Sequence, residues 1–109
     1  MATTYKVLGQ VNPSATTATT LYTCPASTQT IISTISVCNL SSSAATYRIA
    51  VRPNGATLAN EHYIVYGATV PASDSTMLTV GLTVDASDVI TVYASTSNLV
   101  FNAFGSEIA

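Results

Sequence analysis

Apolar and polar residues alternate with a period of two along most of the chain, and turn-forming clusters interrupt the alternation roughly every 8–15 residues. No window sustains the i, i+3, i+4 apolar spacing of an amphipathic helix. Side chains of a strand point alternately to its two faces, so this pattern suits a pleated sheet with one face in a core. The residue types agree: eleven Val, seven Ile, eighteen Thr and six Tyr favour strands. Strands are expected near Thr4–Val11, Thr20–Cys24, Thr30–Asn39, Ala45–Arg52, Glu61–Tyr66, Thr76–Leu82, Asp88–Ala94 and Asn98–Glu107. Between them lie Asn12-Pro13-Ser14, Cys24-Pro25-Ala26-Ser27, Pro53-Asn54-Gly55, Pro71-Ala72-Ser73-Asp74 and Asp85-Ala86-Ser87-Asp88, all rich in turn chemistry. The expected fold is all-β: one antiparallel β-sandwich of about eight strands, jelly-roll or Ig-like.

With 109 residues, no linker and no change of composition, residues 1–109 read as a single domain. Residues 1–19 read as an arm or an edge strand used in assembly. Parity assigns faces. Ile31, Ile35 and Val37 share one side of their strand, and Tyr47, Ile49 and Val51 share one side of the next, opposite Arg48 and Arg52. Around Leu78–Leu82 and Ile90–Ala94 both faces are apolar or neutral, which implies cover on both sides, the second cover coming from another copy or another protein.

Charge narrows the function. Only 7% of residues are charged and the net charge is -2, while Ser and Thr together fill 31 of 109 positions. Lys6, Arg48 and Arg52 cannot form the basic stripe that a phosphate backbone requires, so nucleic acid is not an expected partner. Mean hydropathy is high at +0.41, yet no apolar run approaches the ~20 residues of a membrane span. The first residues lack the basic and apolar regions of a signal peptide, so synthesis in the cytoplasm is expected.

Catalytic patterns are missing. His62 is the only histidine, no Gly-x-Ser-x-Gly elbow occurs, and Cys24 and Cys38 sit in ordinary strand contexts as expected free thiols. Asp85 and Asp88 read as turn caps, and no spacing marks a metal site. No enzymatic activity, cofactor or metal is expected. The tyrosines suit a core, an interface or a sugar-stacking platform. Four ionisable residues, Arg48, Arg52, Glu61 and His62, fall within one short stretch. They are the expected partner-contact patch, where rim charges set register and partner choice.

Six segments, Ile35–Asn39, Ala45–Pro53, Glu61–Tyr66, Val70–Ser75, Asp88–Thr96 and Phe104–Ile108, resemble small virion proteins of tailed phages, over about residues 20–109. The shared motifs are turn prolines and strand cores. The resemblance implies a β-sandwich that decorates or cements a capsid, or serves as a small neck, tail or fibre component, often as a trimer. The expected role is a non-enzymatic, homotrimeric capsid decoration protein in the virion, made in the host cytoplasm, with the major capsid or tail protein as partner. A carbohydrate-binding adhesion module is the alternative.

Overall fold

A computed structural model describes residues 2–109. Eight strands run in chain order: β1 (Thr3–Val11), β2 (Thr19–Thr23), β3 (Gln29–Asn39), β4 (Ala45–Arg52), β5 (Tyr63–Val70), β6 (Ser75–Val84), β7 (Val89–Ala94) and β8 (Leu99–Ile108). They form two four-stranded antiparallel sheets, ordered β1-β8-β3-β6 and β2-β7-β4-β5. Successive strands pass back and forth between the sheets, which is the jelly-roll arrangement. An Ig-like sandwich would instead keep β1 and β2 paired within one sheet. Helical structure among the described residues is limited to two three-residue 3₁₀ turns, Pro53–Gly55 and Asn60–His62.

The core lies between the sheets. Ile32, Ile35 and Val37 of β3 and Leu99, Phe101 and Ala103 of β8 face Tyr47 and Ile49 of β4 and Ile90, Val92 and Ala94 of β7, all buried. Tyr47 and Phe101 meet edge to face across the layers, with ring centres 6.1 Å apart. The side-chain amide of Asn39 is also buried and fully used. It donates to the carbonyls of Ser43 and Val70 and accepts from the backbone N–H and hydroxyl of Ser41, so one side chain organises two neighbouring loops.

Segment 1–19 contains an edge strand rather than an arm: β1 pairs with β8 along its length, and Ala2 and Ala109 exchange two backbone hydrogen bonds of 2.7 and 2.8 Å. Three expectations need correction. First, Ile31 does not share a side with Ile35 and Val37. A bulge between Ile32 and Thr34 inserts one residue, so Ile32 is wholly buried and Ile31 is exposed on the outer face. Second, Glu61 and His62 precede the strand. The Ala59 N–H donates to His62 Nδ1, closing a turn by a local side-chain bond that competes with the ladder. That strand then runs past Gly67, whose φ of +77° marks an irregularity and not an end.

The third correction concerns cover. The outer side of β7 is closed by the chain's own residues, whereas that of β6 is exposed at Met77, Thr79 and Thr83. Val89 and Thr91 are buried, Arg52 Nε donates to Thr91 Oγ1, and the Arg48 guanidinium lies on Tyr93. The cysteines are free, Cys24 buried and Cys38 half-buried. β2 and β3 belong to different sheets, so Cys24 reaches Thr30 by crossing the sandwich and not as a hairpin neighbour.

Candidate functional site

Arg48 and Arg52 project from the outer face of β4, four residues apart, and use their charge differently. Arg52 is committed to its own chain: besides Thr91, its Nη1 donates to the carbonyl of Ala56 at 3.0 Å and so holds the 53–56 turn. Arg48 is clamped between two rings, its guanidinium carbon 4.2 Å from the centre of Tyr66 and 4.3 Å from that of Tyr93. A cation above an aromatic face is held by the ring quadrupole. Glu61 is exposed, and His62 serves the turn described above. Neither arginine makes an ion pair; among the described residues the ion pair is Lys6–Glu107, at 3.0 Å. The structure thus places Arg48 and Arg52 on one face and Glu61–His62 on the adjoining turn, without joining the four into a cluster of paired charges.

Beside Arg48, Tyr63 and Tyr66 meet edge to face at 4.9 Å. Asn60 joins them around a cleft of about 360 Å³, and Tyr66 is 64% exposed. This outer face is aromatic and cationic. Its order follows from register: Arg48 lies opposite Tyr66 on one neighbour and Tyr93 on the other, so the three share a row across β5, β4 and β7.

The outer face of the other sheet carries no charge. Its four strands contain two charged residues, Lys6 and Glu107, and Glu107 points inward, where Tyr22 Oη donates to Oε2 and Lys6 Nζ meets Oε1. What faces out is uncharged: apolar and hydroxyl side chains, with the amides of Gln10 and Asn102 in one row. Tyr5, Ser106 and Ile31 form one row, and Val7, Phe104 and Thr34 the next, with Met77 further along. Tyr5 is 82% exposed and Met77 64%, and Val7, Ile31 and Phe104 are also exposed. Contiguous exposed apolar side chains of this kind mark interaction surfaces.

Between the sheets a polar chain links β2 to β3 and β8. The Cys24 thiol lies 3.2 Å from Thr30 Oγ1, which lies 2.7 Å from Tyr22 Oη, which in turn donates to Glu107. Burial and the carboxylate acceptor push the Tyr22 phenol well above its usual range. The hydrogen bonds from Tyr22 and Lys6 hold the Glu107 carboxyl below its usual range. Every buried side-chain polar atom among the described residues is satisfied, so this chain is a structural tie and holds no idle nucleophile. Asp88 is likewise occupied, accepting from the backbone N–H of Asn54 and of Asp85. Among the described residues no three His, Cys, Asp or Glu side chains gather as metal ligands.

Sequence reasoning missed the Arg48 clamp and the Tyr22–Glu107 tie. The clamp was legible once the pairing register was known; the tie spans 85 residues and has no local signal. Comparison with protein-family models and with curated proteins finds no match to the chain.

Proposed function

We propose that this chain is a non-enzymatic structural protein of a tailed-phage particle, a homotrimeric decoration protein that docks on the capsid shell and stabilises it. The observation that carries the reading is the uncharged outer face of the β1-β8-β3-β6 sheet, with Tyr5, Val7, Ile31, Phe104 and Met77 exposed on it. Burying apolar area supplies affinity at about 25 cal/mol per Å² before the costs of association, and a face without charge has no ion to desolvate. The segments resembling small phage virion proteins agree with that role, and the few surface charges leave little repulsion to keep copies apart.

Sedimentation of the purified protein at micromolar concentration, followed by incubation with undecorated shells, tests the proposal. The expected result is a concentration-independent trimer that binds shells, and a Val7→Lys/Phe104→Lys variant that stays folded but is monomeric and unbound. A stable wild-type monomer that shells do not retain would overturn it.

A further inference from the structure

We propose that the corner formed by Arg48, Tyr66, Tyr63 and Asn60 is a binding site for an acidic saccharide, the sugar's carboxylate on Arg48 and its ring against the tyrosines. The site lies on the sheet opposite the assembly face, so it neither depends on that assignment nor competes with it.

The argument starts from the fate of each cation. Lys6 is paired with Glu107, and Arg52 spends its donors on Thr91 and the 53–56 turn. Among the described residues Arg48 makes neither an ion pair nor a hydrogen bond; its guanidinium carbon lies over the rings of Tyr66 and Tyr93, 4.2 and 4.3 Å from their centres. A guanidinium held over aromatic rings and without other partners keeps its N–H donors for recognition, and their planar fork matches a carboxylate bidentately. Because Tyr66 and Tyr93 already hold the side chain, little of its freedom remains to be lost on binding. The chain's own acids do not compete. Asp74, Asp85 and Asp88 accept from turn N–H groups, Glu107 is paired, and Glu61 is exposed without an ion pair to Arg48.

The surroundings fit a sugar better than a peptide. Two tyrosine rings set at 86° to each other, with an exposed amide beside them, line a cleft of about 360 Å³. That is room for one or two sugar units. Sugar C–H faces pack on aromatic rings, while the Asn60 amide offers both a donor and an acceptor to hydroxyls. The cleft is lined by Asn60, Tyr63 and Tyr66, with no aliphatic side chain, and Arg48 adjoins it through the Tyr66 ring.

The test is titration calorimetry on the full chain with oligosaccharides ending in glucuronic or sialic acid, and with their neutral counterparts. Acidic sugars are expected to bind, with neutral ones weaker by about tenfold, as one charged hydrogen-bonding pair implies. Arg48→Lys keeps the charge but not the fork and should lose most of that discrimination; Tyr66→Ala should weaken both sugar classes. Asn60→Ala, at an exposed position, should weaken binding severalfold. Glu61→Gln should strengthen acidic ligands by removing a like charge from the rim. Absence of binding to every acidic sugar at millimolar concentration would overturn the proposal, as would unchanged binding by Arg48→Gln. Preferential binding of a Glu-rich peptide would also overturn it and would reassign the corner to a protein partner.

Discussion

Gly105 and Glu107, two residues apart on β8, show how closely single side chains constrain this sandwich. A Cβ on Gly105 would stand 1.9 Å from the Ile31 carbonyl oxygen, beside the bulge of β3, so only glycine lets the two backbones approach there. Gly105→Ala should therefore cost about 3 kcal/mol, the upper range for forced overpacking, measured by urea unfolding. Glu107 sets the acid limit. Its carboxyl titrates lower in the folded chain than in the unfolded one, chiefly through the Tyr22 hydroxyl and then Lys6. Its contribution is thus complete above the unfolded value of about 4.3 and fades as pH falls through the folded value. Glu107→Gln should lose about 2 kcal/mol at pH 7 and flatten the dependence below about pH 4. Tyr22 behaves oppositely: its raised phenol favours the fold below about pH 10, and that contribution declines as pH rises further. Thermal melts across pH for Tyr22→Phe and the wild type would expose this alkaline limb, which the variant should lack.

At the scale of elements, eight strands were readable because alternation and turn residues are local signals. Ala45–Arg52 is recovered to the residue, whereas β5 was misplaced because a side-chain bond from His62 delays its start and Gly67 does not end it. The Ser33 bulge was illegible: nothing in Ile31-Ile32-Ser33-Thr34 says which isoleucine turns inward until β8 lies alongside. Turn conformation was only half legible. Thr16, Ser27, Ser73 and Ser87 each follow an alanine and each adopts positive φ, between 53° and 71°, where glycine is more comfortable. Ser27 is exposed, so Ser27→Gly should stabilise the β2–β3 turn by about 0.5–1 kcal/mol, read as a higher urea midpoint at unchanged slope.

For the whole molecule, the outer faces of the two sheets differ in what they offer. One is uncharged and apolar; the other holds an aligned guanidinium among aromatic rings. Salt separates them: assembly through the uncharged face should change little between about 0.05 and 1 M salt, whereas carboxylate binding at Arg48 should weaken across the same range. Sedimentation and calorimetry in parallel would show the contrast. The candidate patch in the sequence included both arginines, and spacing could not reveal that Arg52 is used up internally, because its partners Thr91 and Ala56 come from another strand and a turn. Strand order also governs how the chain is made. Of the three pairings in each sheet, only β4–β5 joins consecutive strands, and β1 waits for β8, the last strand of the sandwich in chain order. The chain therefore cannot close its first sheet until β8 has been made, and its strands must search for distant partners over milliseconds to seconds. During that interval its uncharged strands lie open to neighbouring chains, so the yield of soluble protein should fall with expression rate sooner than the stability of the finished fold would suggest.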